Sequence, residues 1–578
     1  MATNQSPPPW LFQEEQMAFV RFAITAILLS ALAASPAIAG DDEPARPNFL
    51  LIVFEDMSPH IGAYGDPVAQ TPVLDAFASQ AVLFEAAFTT AGVCAPSRAA
   101  LAMGVPQQMI GAQQMRVSSG VLLEDGARLP YTAVPPAYVK AYPELLRRAG
   151  YYTTNNGKTD YQLDFSFHGG PFTIWDDSDA AHPWRGRAEG QPFFAMVNIM
   201  ETHESWTFPL DLQPDAHPMA ARLGAQLREA LTGRPPVHDP DDVEVPPFLP
   251  DTPLVRAELA QMLDNIHYYE RTVAQLLAEL EQDGLAENTI VIVTTDHGDG
   301  IPRAKRSLYD SGLHVPLMVR WPDGRGAGTR DGQLVSFVDV APTILQLAGE
   351  EVPDWMAGRV FLGPAAGLER GYVYAAMDRH DSQPDFARAV RDHRWKYIRN
   401  FERGRPFFRH LAFRDMQRSM QELWRLNDAG QLPPRIAQYF YSPRPEEELF
   451  DTWADPHEMT NLAQDQRYAR VLQRMRAALA RYQDRFVDQS TDGELAMVQR
   501  MWPQMEQPLT LPPEVTRLES GLFELESPTS GASIGYRVDG GGWQLYVDPV
   551  VLGTGQVLEA KAVRYGFAES SVTQVVGE

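Results

Sequence analysis

Long apolar runs in this chain end abruptly at polar residues. The runs cover Asn48 to Phe54, Pro192 to Met200, Thr289 to Thr295 and Val315 to Trp321. A strand with apolar side chains on both faces must be covered on both sides, which is typical of a parallel sheet between layers of helices. Helical patterns separate the runs, most clearly from Pro253 to Glu281. We therefore expect an α/β fold with a mostly parallel sheet flanked by helices.

Polar side chains follow three of these runs. Glu55-Asp56 comes after the first, Glu201-Thr202-His203 after the second and Asp296-His297 after the third. Sheets of this kind bind ligands at the carboxyl ends of their strands. Carboxylate oxygens suit Ca²⁺ or Mg²⁺, whereas an imidazole nitrogen also tolerates softer metals. The pattern predicts a divalent cation site, and the alternative role of each carboxylate is capping or solvation.

The chain has a single cysteine, Cys94, so an internal disulfide is excluded. It opens the segment Cys94-Ala95-Pro96-Ser97-Arg98, and the following residues suit a helix with Pro96 in its first turn. Backbone N–H groups at a helix N-terminus favour an anion. The two interpretations of Cys94 are therefore chemistry at an anion site and a small buried apolar residue, which is the ordinary role of a free cysteine.

Cys94-x-Pro-Ser-Arg98 resembles the signature of the type I sulfatases of the alkaline phosphatase superfamily. Further segments resemble motifs of that family and occur in its order, over about Pro47 to Asn461. They are Glu55-Asp56-Met57-Ser58-Pro59, Gly157-Lys158, Thr295-Asp296-His297-Gly298, Lys305 to Leu317, and Glu448-Leu449-Phe450-Asp451 with Asp455-Pro456 and Asn461-Leu462. The resemblance implies an alkaline-phosphatase-like fold with a smaller C-terminal subdomain, and it implies a sulfuric ester hydrolase.

The resemblance also implies roles for individual residues. Cys94 would be converted to formylglycine by a maturation enzyme, and the aldehyde hydrate would be the nucleophile. The implied metal is Ca²⁺, and its implied ligands are Glu55, Asp56, Asp296 and His297. Arg98 would hold the Cys94 loop and the metal carboxylates. Lys158, His203 and Lys305 would line the sulfate pocket. Either His203 or Lys305 would protonate the leaving group, and the sequence does not choose between them.

Three positions depart from the family pattern. The family commonly has Asp where this chain has Glu55, and often Asn where it has His297, so the coordination number and the metal identity are left open. Many sulfatases have His two residues after the lysine of the Gly-Lys motif, where this chain has Asp160. One candidate acid or sulfate contact is therefore missing or replaced.

Three functions remain open from the sequence. The first is a sulfatase of sulfated sugars, acting on O-sulfate or N-sulfate. The variants Glu-Asp-Met-Ser-Pro and Gly-Lys-Thr-Asp-Tyr resemble bacterial enzymes that act on sulfated sugars, including the heparan N-sulfatase-like branch. The second is a phosphonate monoester or phosphodiester hydrolase of the same superfamily. The third is a non-catalytic sulfoglycan-binding protein with unconverted Cys94. Further sugar contacts, or ordinary ion pairs, are expected at Asp378-Arg379-His380 and Arg388.

The charge balance indicates which partners the protein disfavours, and the N-terminal sequence indicates where the protein is sent. Lys+Arg 49 against Asp+Glu 75 gives a net charge of −26, which disfavours nucleic acid and anionic membrane surfaces. Residues 1–39 resemble a signal peptide, with a short apolar run and Ala37-Ile38-Ala39 before the expected cleavage point. The run is too short for a comfortable membrane span. We expect export to the periplasm or the medium, without stable membrane insertion.

These patterns predict the domain organisation. The signal peptide covers residues 1–39, the catalytic α/β domain 47–370 and the C-terminal subdomain 371–505. Short alternating runs from residue 510 to 578 predict a small β-sandwich that resembles fibronectin-like modules.

Overall fold

The computed structural model describes residues 46–168, 170–209, 226, 229, 230 and 232–578. The predicted signal peptide, residues 1–39, lies outside the described residues. Within the described ranges, no helix combines the length and the apolar character that a bilayer crossing requires.

The predicted buried strands lie together in one mixed sheet. Strands β1 to β9 are Asn48–Phe54, Val82–Phe88, Val121–Leu122, Arg128–Leu129, Tyr152–Asn155, Phe193–Ile199, Thr289–Thr295, His314–Arg320 and Thr329–Ser336. The sheet order is β5-β6-β1-β7-β8-β2-β9, and β3 pairs with β4 separately. Only β8 runs antiparallel to its neighbours in this described sheet. The prediction of a mostly parallel sheet is confirmed.

Helices cover both faces of the sheet. In this part of the chain, α1 to α7 are Pro72–Ala78, Cys94–Met103, Tyr142–Arg148, Pro253–Tyr269, Arg271–Gln282, Asp310–Leu313 and Val340–Leu347. Strand β1 is apolar from Phe49 to Phe54 because both of its faces are buried. Leu50, Ile52 and Phe54 pack in the core that contains residues of α4 and α5. The alternate residues Phe49, Leu51 and Val53 pack in the opposite core, with residues of α2, α3 and α7.

The helix predicted over Pro253 to Glu281 is divided into α4 and α5. The prediction of one continuous helix was wrong at Glu270, which lies between them. The Glu270 carboxylate accepts hydrogen bonds from the backbone N–H groups of Val73 and Leu74, at 3.1 and 2.9 Å. This contact ties the junction to the first turn of α1. It involves residues nearly 200 positions away, so helical periodicity alone does not reveal it.

A second, antiparallel sheet follows in the chain. Strands β10 to β13 are Val373–Met377, Ala387–Arg391, Trp395–Asn400 and Glu447–Asp451, in that order across the sheet. Helices α8 to α11 are Arg418–Asp428, Pro434–Ala437, Ala469–Arg485 and Glu494–Met501. Helix α10 packs Leu472 and Met475 against Val390 and Tyr397 of this sheet.

The C-terminal residues form small antiparallel sheets. Strands β14 to β19 are Glu514–Arg517, Phe523–Glu526, Ser533–Val538, Gln544–Leu545, Val557–Val563 and Thr573–Val576. The buried carboxylate of Glu144 in α3 accepts hydrogen bonds from Ser533 Oγ and Tyr565 Oη, both at 2.6 Å. Burial alone would raise the pKa of Glu144, but Lys140 and Arg148 outweigh it and hold the pKa at about 2. An ionised carboxylate therefore attaches this region to α3.

Candidate active site

The strand register brings three polar segments to one edge of the sheet. Phe54, the last residue of β1, is paired with Ile199 of β6 on one side and with Thr295 of β7 on the other. The backbone N–H of Glu55 then donates to Thr202 Oγ1 at 3.0 Å, and that of Asp56 donates to Asp296 Oδ1 at 3.1 Å. The three strand ends are thus joined directly by hydrogen bonds.

Cys94 lies beside these strand ends at the first residue of α2, and the predicted helix start is confirmed. The cysteine is fully buried. Its Sγ lies 3.3 Å from His297 Nε2 and 4.0 Å from both Glu55 Oε2 and Asp56 Oδ1. The helix N-terminus and the three strand ends therefore converge on one sulfur atom.

The predicted metal ligands form a cluster that fits a divalent cation. Ligand atoms of Asp56, Cys94, Asp296 and His297 lie within 4.8 Å of one another, and so do those of Glu55, Asp56, Cys94 and His203. His297 Nδ1 donates to the Gly298 carbonyl at 2.8 Å, so the lone pair of neutral imidazole lies on Nε2, toward the cluster. Carboxylate oxygens with one such imidazole are a suitable donor set.

Arg98 and Lys158 balance the carboxylates from one side. Arg98 is 1% exposed. Its guanidinium contacts Glu55 Oε1, donates from Nε to Asp296 Oδ2 at 3.1 Å and donates to Asn198 Oδ1 at 2.8 Å. Lys158 Nζ contacts Glu55 Oε2 and lies 3.7 Å from Asp296 Oδ2. Burial nevertheless raises the pKa of Glu55, because desolvation outweighs these cations.

Lys305 balances Asp56 from the other side. Its Nζ lies 2.6 and 2.8 Å from the two Asp56 oxygens and 3.2 Å from His203 Nε2. Burial would raise the pKa of Asp56, but Lys305 and the neighbouring histidines outweigh it and hold the pKa well below its ordinary value. Burial and Lys305 lower the pKa of His203 to about 3, so His203 is neutral at pH 7. The structure brings all the predicted catalytic and metal residues into one cluster.

Comparisons with known proteins agree with this geometry. The family model described as Sulfatase matches residues 47–350, and that described as N-sulphoglucosamine sulphohydrolase, C-terminal, matches residues 303–431. This chain belongs to the sulfatase family. The predictions of a type I sulfatase and of a sulfuric ester hydrolase are confirmed.

Two named relatives of this sulfatase match most of its length. It is 39% identical to an ulvan-active sulfatase of Formosa agariphila over 92% of this chain and 91% of that protein. It is 29% identical to human N-sulphoglucosamine sulphohydrolase, over 76% of this chain and 90% of that protein. A protein solved in complex with its substrate D-glucosamine-2-N,6-O-disulfate has a TM-score of 0.54 and 17% identity, covering 78% of this chain and 99% of that one. This last likeness confirms the fold.

Sequence reasoning missed two residues of the sulfatase cluster. The buried Glu204 accepts hydrogen bonds from both terminal nitrogens of Arg306, at 2.7 and 2.9 Å, and its backbone N–H donates to Asp56 Oδ2 at 2.7 Å. Burial would raise the pKa of Glu204, but Arg306 and Lys305 outweigh it and hold the pKa at about 2. Their positions in the sequence could have identified them, since Glu204 follows the predicted His203 and Arg306 follows the predicted Lys305.

Four of the remaining positions from the sequence, Asp160, Asp378, Arg379 and Arg388, are engaged in ion pairs. Asp160, where many sulfatases have histidine, forms an ion pair with Arg116 at 3.0 Å. Arg388 is buried between Asp378 and Asp488, at 2.9 and 2.7 Å. Arg379 pairs with Glu494 at 2.8 Å. Both Arg379 and Arg388 thus have internal carboxylate partners, which matches the ion-pair interpretation rather than a sugar contact.

Proposed function

We propose that this sulfatase removes sulfate from a sulfated glycan and that its nucleophile is the hydrate of formylglycine formed from Cys94. The observation that carries the proposal is the position of Cys94 Sγ, 3.3 to 4.0 Å from His297, Glu55 and Asp56 at the N-terminus of a buried helix. The conversion replaces the CH₂–SH group of Cys94 by an aldehyde. A maturation enzyme must supply the oxidant for this step.

The chemistry explains why a converted cysteine is needed. One hydroxyl of the aldehyde hydrate attacks sulfur, a covalent sulfate ester forms, and the sugar alcohol or amine leaves with a proton. The second hydroxyl then gives up its proton, the carbon returns to the aldehyde, and the C–O bond to sulfate breaks. Water rehydrates the aldehyde without attacking sulfur. An unmodified Cys94 thiolate would form a thiosulfate ester that has no such exit.

The acidic cluster is the proposed metal site. Glu55, Asp56, Asp296 and His297 would hold one Ca²⁺, and Arg98 would keep Glu55 and Asp296 in place through its fork. A bound Ca²⁺ would supply positive charge to the sulfate oxygens and to the attacking hydroxyl. Lys158 and Lys305 would add charge that the transferred group needs in the transition state.

His203 is the better candidate for the proton donor to the leaving group. Its Nδ1 lies 2.9 Å from Ser205 Oγ, and its Nε2 accepts a hydrogen bond from the Lys305 ammonium at 3.2 Å, inside the cluster. That ammonium is the source of the proton that His203 would pass to the leaving group. The His203 side chain is 15% exposed, whereas that of Lys305 is 1% exposed. Of the two, His203 is therefore the one that an incoming sugar can reach.

The names of the relatives narrow the choice of substrates to test. The 39% identical relative is called ulvan-active, and the human relative is named for N-sulphoglucosamine. We therefore propose a sulfated carbohydrate as substrate and take ulvan oligosaccharides as the first to be tested, with N-sulfoglucosamine second. Export to the periplasm or the medium would bring the enzyme to such polymers, and N-terminal mass analysis that finds residues 1–39 retained would contradict export by signal cleavage.

The decisive experiment combines peptide mass spectrometry of Cys94 with activity assays on the same protein from its native host. An aldehyde at Cys94, with turnover of 4-nitrophenyl sulfate that Cys94→Ala abolishes, is the expected result. Matched 4-nitrophenyl phosphate and phenylphosphonate esters test the phosphoryl-type alternative. An unmodified thiol in a protein that hydrolyses neither ester class would overturn the proposal and favour a binding role.

A further inference from the structure

A cavity outside the catalytic cluster lies in the crevice between the main sheet and helix α10. Its volume is about 210 Å³. It is lined by Thr90 after β2, by Ser336 at the end of β9, by Tyr374 of β10 and by Tyr482 of α10. Arginines form much of its remaining wall: Arg359, Arg370, Arg481 and Arg485. The catalytic cluster contributes no residue to this described lining.

The crevice is nevertheless near the catalytic cysteine. Thr90 precedes Cys94 by four residues, so their Cα atoms are at most about 14 Å apart even if the chain between them were fully extended. Both β2 and β9 end at the edge of the sheet that carries the catalytic cluster, because β2 is parallel to β9 and both run in the direction of β7. The crevice and the catalytic cluster therefore lie at the same edge of the sheet.

The crevice has unbalanced positive charge. Arg370 is paired with the buried Asp339. Arg359, Arg481 and Arg485 form no ion pair with any carboxylate in the described ranges, although the chain carries a net charge of −26. Arginine forks match the oxygens of sulfate and carboxylate groups. The charge in the crevice therefore suits an anion.

The crevice also has features that suit a sugar ring. Tyr374 and Tyr482 stack with ring centroids 3.9 Å apart, and Phe486 lies 5.0 Å from Tyr482. Such amphipathic aromatic groups offer apolar area beside a polar hydroxyl. The Thr90 hydroxyl is buried, with the residue 3% exposed, and it has no hydrogen-bond partner within the part of the chain that the structure describes. A buried hydroxyl without a partner is unfavourable, and a ligand oxygen or hydroxyl would satisfy it.

We propose that this crevice is a second, non-catalytic binding site for a sulfated sugar unit of the glycan that is desulfated at Cys94. The inference rests on the proposed glycan substrate. A volume of about 210 Å³ lies below the roughly 300–1,000 Å³ of pockets for drug-sized ligands, so the site suits one sugar unit rather than an oligosaccharide. It would hold the polymer while another unit presents its sulfate to the catalytic cluster.

The kinetic test uses the double variant Arg481→Gln/Arg485→Gln and compares ulvan with 4-nitrophenyl sulfate. The small ester reports on the catalytic site, whereas the polymer reports on both sites. We expect the ratio of the kcat/KM for ulvan to that for the ester to fall about five-fold or more, chiefly through KM, as for the loss of charged hydrogen bonds. Arg470→Gln, an exposed arginine on the same helix but outside the crevice, is the matched control.

The binding test uses the inactive Cys94→Ala protein, so that ulvan is not consumed. Affinity electrophoresis in gels containing ulvan or chemically desulfated ulvan should show retardation by ulvan that the double substitution weakens. An unchanged kinetic ratio and unchanged retardation would overturn the second site while leaving the proposed function intact. Retardation equal in ulvan and desulfated ulvan would also overturn it. A wild-type enzyme without sulfatase turnover would instead refute the proposed function, and the gels would still test the crevice.

Discussion

Substituting Arg98 by methionine tests the central role of this residue in the catalytic cluster. Methionine approximates the aliphatic stem of arginine but removes the contacts with Glu55, Asp296 and Asn198. Removing one partner of a buried ion pair typically costs about 3–5 kcal/mol, because the other charge stays buried without compensation. Arg98 serves two carboxylates and is 1% exposed, so we expect destabilisation in the upper part of that range.

Urea unfolding followed by tryptophan fluorescence, with EDTA present, measures this effect as a shift in the midpoint. Arg98→Lys should be intermediate, because lysine keeps the charge but lacks the fork that reaches both carboxylates. Arg467→Met is the matched control, since the Arg467 side chain is 80% exposed and its ion-pair partner is the nearby Asp465, and it should leave unfolding unchanged. A destabilisation of Arg98→Met below about 1 kcal/mol, the range of surface pairs, would refute the reasoning.

Three further predictions concern the acid, the metal and the C-terminal region. His203→Gln should lower kcat for phenyl sulfate by about 10²- to 10⁴-fold, as for loss of a general acid, but much less for 4-nitrophenyl sulfate; equal losses on both esters would contradict this role. Dialysis against EDTA should remove both activity and the metal detected by elemental mass spectrometry, and Ca²⁺ should restore both; full activity in metal-free protein would contradict the metal site. The pKa of Glu144 lies at about 2 instead of 4.5. Its ionised form therefore contributes roughly 3 kcal/mol above pH 4.5, and this contribution is lost as the pH falls towards 2. Glu144→Gln should be less stable in urea at pH 7 but not near pH 2, and a difference independent of pH would exclude this explanation.

Much of the fold and the cluster was predictable because strand ends carry local signals. The run from Asn48 to Phe54 is apolar at every position since both faces of β1 are buried, and its end marks the edge where Glu55 and Asp56 lie. Parallel pairing in register then requires the segments after β6 and β7 to meet there. The predicted start of α2 at Cys94 follows from Pro96 in its first turn.

Contacts between distant segments were not predictable in the same way. Glu270, at the junction of α4 and α5, binds the first turn of α1 through its carboxylate, and Glu204 contacts Arg306 across about a hundred residues. Arg388 is a further example. Its sequence position after a strand left a sugar contact and an ion pair both open, and Asp488, a hundred residues later, binds it internally. A single sequence shows which charges exist but not which carboxylate each arginine faces.

The proposed sites also explain how an acidic protein can act on an acidic polymer. Repulsion by the net charge of −26 acts between solvent-exposed charges and is largely screened beyond the Debye length, about 8 Å at physiological ionic strength. The cations of the catalytic cluster are buried, so they are screened much less and act on a sulfate that has already entered. The free arginines of the crevice would extend this short-range attraction to a neighbouring unit. Binding of the glycan would then depend on contacts made after encounter, and moderate salt should weaken the repulsion more than the buried contacts.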